Sequence, residues 1–306
     1  MALETDLLLD RRRLKRRLNF WRVAAVLALV ATLAAVVGRS GAIEGAGLRH
    51  VARVNVTGVI QEDAKLLRAV TDLVKDASVR AVIVSIDSPG GSVAGGESLR
   101  AALIRVAAAK PVVAVMRGTA ASAGYMVALP AVRIFARDAT LTGSIGVILQ
   151  TGNLGDLLGR VGVSAEAITS GPLKDQPSFT RGLTPEGRTY LHGLVDDMYD
   201  QFVSMVAEAR HLDMARVREL ADGRAYTGRQ AQKLGLVDEI GGEMEARDWL
   251  ARERGIPAAT PVRDVQSGSF YERTLGATLS GLWRSTVGGT LAPGGAWAIW
   301  QGGIGG

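Results

Sequence analysis

Between residues 51 and 116 the apolar positions switch back and forth between two periods, and that alternation predicts an α/β domain. Val51 to Ile60 carries Val54, Val56 and Ile60 in a strand-like pattern broken at Gly58. From Ala64 to Ala77 the apolar residues fall at Leu66, Leu67, Val70, Leu73 and Val74, the spacing of one helix face. Ala81 to Ile86 is then unbroken apolar sequence, as a parallel strand covered on both faces requires. A turn cluster from Asp87 to Ser92, a helix over Ala94 to Lys110 and a second apolar run from Val112 to Met116 follow. Short links between such units argue for right-handed βαβ crossovers.

The same idiom continues downstream. Arg133 to Ala136, Ser144 to Leu149 and Ala165 to Thr169 read as strands, and Leu154 to Val161 as a short helix. Thr140 to Gly143 and Ser170 to Asp175 read as loops. Thr184 before Pro185 is a start signal for a long helix, whose apolar stripe is Leu191, Leu194, Met198, Phe202 and Met205. Thr227 and Gln230 form a capping-box pattern for a short helix that ends at Gly235. The folded domain is therefore assigned to 51–256. Beyond Pro257 the periodicity fades, and glycine with scattered Trp283, Trp297 and Trp300 predicts a poorly ordered tail over 257–306.

The N-terminus has a different character. Residues 1–22 hold seven Lys or Arg against three acids, so most of the chain's net charge of +6 sits there and the remainder is nearly neutral. That distribution argues against nucleic-acid binding. An uncharged apolar stretch, 23–38, follows the basic cluster, with Phe20 and Trp21 at its edge. It is expected to be a transmembrane anchor, with a cleavable signal peptide as the competing reading. The run is longer than a usual signal-peptide core, which favours the anchor. The basic segment 1–22 then stays in the cytoplasm and the body lies across the membrane, joined by a glycine-containing linker, 39–50.

Residue types limit the chemistry. The chain has no cysteine, which excludes disulfides, thiol catalysis and Cys-ligated metals. Its three histidines, His50, His192 and His211, are too scattered for a convincing metal site or Ser-His-Asp triad. Ser122 stands in Gly118-Thr-Ala-Ala-Ser-Ala-Gly124, after a buried strand and before a small-residue helix. Such a turn presents a hydroxyl beside the N–H groups of a helix N-terminus, which suit a developing oxyanion. Alone, the same serine serves equally as a helix cap, and Lys174 alone is an ordinary loop lysine.

Four motifs taken together resemble a known family. Asp87-Ser-Pro-Gly-Gly91, Ala120-Ala-Ser-Ala-Gly-Tyr125, Leu141-Thr-Gly-Ser-Ile-Gly146 and Ser170-Gly-Pro-Leu-Lys-Asp175 are similar to the motifs of signal peptide peptidase A in its short, single-domain form. The resemblance covers about Val51 to Gly255 and implies a Clp-protease/crotonase-like fold behind one N-terminal transmembrane helix. It implies Ser122 as nucleophile, Lys174 as general base, Ser144 as the hydroxyl that orients that lysine, and Gly91 with Ala123 as oxyanion hole. Ala123 departs from the family's usual glycine, which raises the question of whether its methyl narrows the cleft. The implied protein is a serine endopeptidase without metal or cofactor, acting on apolar peptides such as signal-peptide remnants. It would sit on the outer face of the cytoplasmic membrane as a homo-oligomer whose active sites are shared between subunits. A lysine is a base only when neutral, and burial is what lowers its ordinary pKa of about 10.4. Asp175 is therefore expected to face away from the lysine. A crotonase-like acyl-CoA enzyme and a non-catalytic membrane scaffold of the same fold are the alternatives.

Overall fold

The computed structural model describes residue 17, residues 20–29 and 49–265, and the backbone of 297–299. It divides into two units, Met1–Leu48 and Arg49–Gly306. In the first, residues 20–29 form helix α1, with Phe20 and Trp21 in an edge-on ring contact. Among the described residues no helix is long and apolar enough to cross a membrane. The remainder of the 23–38 stretch, 30–38, lies outside the described residues, as do 1–16 and most of the tail.

Among the described residues, the second unit is built on one mixed sheet of nine strands. Strands β1 (His50–Ile60), β2 (Val79–Ser92) and β3 (Val112–Ala121) run parallel at its centre, separated in sequence by α2 (Ala64–Asp72) and α3 (Val93–Ala107). Along one edge of β3, β4 (Arg133–Ala136) pairs with Val113–Met116 and β5 (Leu141–Gly143) with Thr119–Ala121. The unbroken apolar run of β2 is explained by its two covered faces. Val82, Val84 and Ile86 enter the larger core with Leu103, Val106 and Phe202, whereas Ala81 and Ile83 pack with Phe135, Trp249 and Leu250 on the other side. Alternate residues of a strand point to opposite faces, so only continuous apolar sequence satisfies both cores.

Later elements close the two layers. Helix α4 (Ala123–Ala128) follows β3 directly, and α5 (Gly155–Arg160) lies in a largely exposed segment. Helix α6 (Pro185–Arg210) starts as its sequence demands: the Thr184 hydroxyl accepts from the Gly187 N–H at 2.9 Å, with proline in the first turn. After α7 (Met214–Leu220), β6 (Ala225–Thr227) pairs antiparallel with β5, and Thr227 and Gln230 complete the capping box of α8 (Gly228–Lys233). Strand β7 (Glu239–Ile240) extends β4, and α9 (Glu243–Arg254) covers the second face.

Several sequence expectations are corrected. Ser144–Leu149 and Ala165–Thr169 are not strands, while Leu141–Gly143, expected as loop, is β5. The turn clusters at Asp87–Ser92 and Gly118–Ala121 belong to the strands β2 and β3, which run on past their apolar cores. Their long apolar side chains stop, but the backbones keep pairing and the small residues there, Ser88, Ala120 and Ala121, stay buried. Beyond residue 256, β8 (Val262–Asp264) joins the sheet beside β1, and β9 (Trp297–Ile299) pairs with β2. Each is only three residues long and joined to the sheet by pairing with a strand far away in sequence, so hydropathy does not report them.

Candidate active site

The site lies where β2 and β3 end side by side. The last direct pair between them is Ser88 with Ala120, after a register shift beyond Ile86. Asp87 helps to hold this end, because its carboxylate accepts from the Thr119 N–H at 3.1 Å. The Ser88 hydroxyl accepts from Gly90 N–H at 3.1 Å and shapes the turn into Gly91. Only glycine fits at Gly91, since a Cβ there would lie 1.8 Å from the Ile60 carbonyl oxygen.

Ser122 joins β3 to α4 with φ 56° and ψ −118°. This is a conformation L-residues rarely adopt, at a cost of about 1–3 kcal/mol. Its N–H donates to the Gly143 carbonyl at 2.8 Å, and its carbonyl accepts from Met126 N–H at 3.0 Å, which starts the helix. The side chain caps nothing. Its Oγ has no hydrogen-bond partner, and the residue is 1% exposed, where the sequence led us to expect an accessible hydroxyl. A buried hydroxyl without a partner is costly, and neither strain nor orphaned oxygen serves the helix. The capping role is thereby excluded.

Ser144 is the second strained residue, with φ 48°; only His211, at the end of α6, joins it and Ser122 among described non-glycine residues with positive φ. Its N–H donates to the Arg224 carbonyl at 2.9 Å. With His192, Asp196, Tyr199 and Asp222 it lines a cavity of about 390 Å³. The Asp222 carboxyl is held below the ordinary carboxylate range, chiefly by its hydrogen bond with Arg224.

Ala123 answers the question its methyl raises. A Cβ built on Gly96 of α3 would come within 3.0 Å of the Ala123 Cβ, so the methyl faces α3 rather than β2. The Ala123 N–H belongs to the first turn of α4, where backbone donors have no intrahelical acceptor. Gly124 lets this turn close on β2, with its own Cβ position 3.0 Å from the Ser88 carbonyl oxygen.

Lys174 is not brought to Ser122 within this chain. It is exposed in the segment between α5 and α6, and no hydrogen bond links the two side chains. Arg181 pairs with the Asp175 carboxylate and holds it below the usual range. Sequence reasoning missed three supports of the nucleophile. Gly143 (φ 75°) supplies the carbonyl that fixes Ser122, and a Cβ there would strike the Tyr226 ring at 2.6 Å. Gly96 makes room for Ala123. Tyr125, fully buried, donates to the Leu236 carbonyl at 2.8 Å and ties α4 down, and burial pushes its phenol pKa up. Gly143 and Tyr125 stand inside the motifs, but nothing in the sequence names their partners.

The profile of Peptidase family S49 matches residues 104–257, a span that holds Ser122, Ser144 and Lys174. The chain is 44% identical over 210 residues to a Synechocystis sp. protein named as a protease, covering 68% of this chain and 76% of that one. The chain belongs to the signal peptide peptidase A family. An Enterococcus faecium relative named as the signal peptide peptidase SppA is 33% identical over 233 residues, 72% of this chain and 68% of its own. Protease 4 of Salmonella typhi is 38% identical over 167 residues, but the match spans only 27% of its length. As a member of this peptidase family the chain is a protease.

Proposed function

We propose that the protein is a serine endopeptidase in which Ser122 is the nucleophile and Lys174, delivered by a second copy of the chain, is the general base. The observation that carries this reading is the state of Ser122: strained, buried and with its Oγ unpartnered at the end of β3. A nucleophile held in that way waits for a base. In acylation the Ser122 oxygen bonds to the scissile carbonyl carbon while the neutral Lys174 amine takes its proton. The oxyanion accepts from the N–H groups of Gly91 and Ala123, and lysine returns the proton to the departing amine. Water, deprotonated by the same amine, then releases the acyl group. Ser144 orients the amine, and no cofactor enters.

The surroundings of Lys174 support its transfer between copies. Val161, Val163, Ile168 and Phe179, in the same segment between α5 and α6, are exposed, Ile168 at 98%. Apolar residues concentrated in this way mark a contact surface. Docked into a second copy, the lysine would leave water, which lowers its pKa, and meet the Ser144 hydroxyl. Apolar peptides, signal-peptide remnants among them, are the proposed substrates, and residues 23–38 the proposed anchor of a body on the extracytoplasmic side. The buried serine favours a peptidase over an acyl-CoA enzyme, which would rely on carboxylates, and over an inert scaffold.

Mixing two inactive variants tests the shared site. Ser122→Ala and Lys174→Ala should each lose at least about 10³-fold in kcat/KM, as deletions within a catalytic unit do. Subunit exchange between them should restore activity, because mixed assemblies pair an intact Ser122 with an intact Lys174 from another chain. A mixture as inactive as its parents, with exchange verified by mass, rules out the shared arrangement.

A further inference from the structure

The parallel strands β1, β2, β3, β4 and β8 all begin at one pole of the second unit, away from the strand ends that carry Gly91 and Ser122. A cavity of about 400 Å³ opens at that pole. Three cations from separate elements line it: Arg80 at the start of β2, Lys110 just before β3 and Arg254 at the end of α9. Its lining holds no carboxylate. Elsewhere Arg53, Arg133 and Arg210 are paired with acids, but among the described residues none of these three cations has a salt bridge. Arg80 is exposed. The Arg254 guanidinium carbon lies 5.6 Å from the centre of the Trp249 ring, a contact with the face of the ring that leaves its N–H donors free. The Lys110 amine donates to the Asp76 carbonyl, which uses one of its three donors. The Asp76 carboxylate is engaged with Ser78, accepting from its N–H at 2.9 Å and its hydroxyl at 2.6 Å. Burial lowers the Lys110 pKa, as for an ammonium that lacks a counter-ion.

We propose that this cavity binds the phosphate of an anionic phospholipid headgroup and docks this pole of the unit on the membrane surface. The anion site rests on the three cations alone, whereas the lipid source also rests on the reading of 23–38 as an anchor. Two guanidinium groups and an ammonium converging without an acid form a receptor for phosphate oxygens, which arginine meets with paired N–H donors. The rest of the lining selects among phosphates. Ala107, Ala108 and Ala109 bring the carboxyl end of α3 into the cavity, where the last carbonyls of a helix have no intrahelical donor and carry partial negative charge. They oppose a bare phosphate dianion but accept from hydroxyl groups. A singly charged phosphodiester with a glycerol headgroup satisfies cations and carbonyls together. Val132, exposed in the same lining, offers it an apolar contact. Connectivity points to the same source. The chain enters the unit at this pole, since β1 begins at His50, and residues 39–48 reach at most about 35 Å when fully extended. A membrane that holds 23–38 therefore lies within reach of the cavity, and cations at such a surface are drawn to anionic lipid.

Amide hydrogen exchange of the full chain in lipid vesicles tests the site without reference to activity. The Ala108–Lys110 amides should exchange about 10-fold more slowly in vesicles of phosphatidylcholine with phosphatidylglycerol than in phosphatidylcholine alone, the slowing that a ligand at about ten times its Kd gives. Arg80→Ala combined with Arg254→Ala should abolish that difference. Arg216→Ala, on the exposed side of α7, should keep it. Inorganic phosphate added to the phosphatidylcholine vesicles should protect far less than phosphatidylglycerol does. Equal protection by inorganic phosphate overturns the lipid source and makes the ligand a soluble phosphate. Protection by neither, or protection that survives the double substitution, overturns the site. A full chain that floats with neither kind of vesicle overturns the anchor reading and membrane docking with it. Soluble dihexanoyl phosphatidylglycerol, below its micelle-forming concentration, then decides the cavity by the same exchange: protection lost in the double variant upholds the anion site, and no protection removes it.

Discussion

Two serines in strained backbone and one glycine between them and the sheet set the geometry of the site. Gly143 has φ 75° and faces the Tyr226 ring, and its carbonyl receives the Ser122 N–H. Replacing it with alanine forces a methyl into a ring 2.6 Å away in a backbone region that L-residues avoid. The ring or the turn must then move, and Ser122 with it. Gly143→Ala should cost about 1–3 kcal/mol of stability and lower kcat more than 10-fold, because a displacement of about 1 Å at a nucleophile has effects of that order. Urea unfolding and steady-state kinetics measure both. Unchanged kcat in a variant with unchanged KM would free Ser122 from dependence on this carbonyl.

The elements that carry the site are parallel strands whose outer neighbours are short. Strand β8 adds only three residues beside β1, and side chains reinforce it: Arg53 donates to Asp264 at 2.6 Å and to Glu243 at 3.0 Å, and Asn55 donates to Asp264 at 2.8 Å. The hydrogen bond from Arg53 is the main cause that holds the Asp264 carboxyl below its ordinary pKa. A depressed carboxylate contributes stability that is full above the unfolded pKa of about 4 and is lost as pH falls through the lower folded value. The Tm advantage of wild type over Asp264→Asn should therefore be constant near pH 6 and shrink towards pH 3. A gap that stays constant over that range would show that the charge of Asp264 does not hold β8.

At the scale of the whole molecule, the apolar surface is unevenly spread. The segment between β5 and the middle of α6 exposes Leu157, Val161, Ile168, Phe179 and Leu194, whereas the second half of α6 is buried through Phe202, Val203 and Val206. Along the apolar stripe read on α6, Leu191 and Phe202 are buried within the chain, whereas Leu194 stays exposed. Ile168→Asp should leave the far-ultraviolet circular dichroism unchanged, because that side chain touches little within its own chain. It should lower the sedimentation coefficient to that of a monomer and abolish peptidase activity together, since assembly and the delivery of Lys174 are one event. An assembled, inactive Ile168→Asp would separate the two.

What the sequence determined by itself are the features that depend on local chemistry. Apolar period gave β1 to β4, capping residues placed the starts of α6 and α8, and the motifs singled out Ser122, Ser144, Lys174, Gly91 and Ala123 as candidates. These are legible because burial and capping act over a few neighbouring residues, so their imprint stays within a short window. Tertiary structure alone decided the rest. Leu141–Gly143 is a strand because β3 and β6 pair with it, not because of its composition. The methyl of Ala123 is accommodated because Gly96, on another helix, has none. Ser122 lies buried and unpartnered, and Lys174 stands apart from it in the same chain. Backbone pairing, steric fit and the meeting of distant segments join residues far apart in sequence, and no local pattern records which partner each will find.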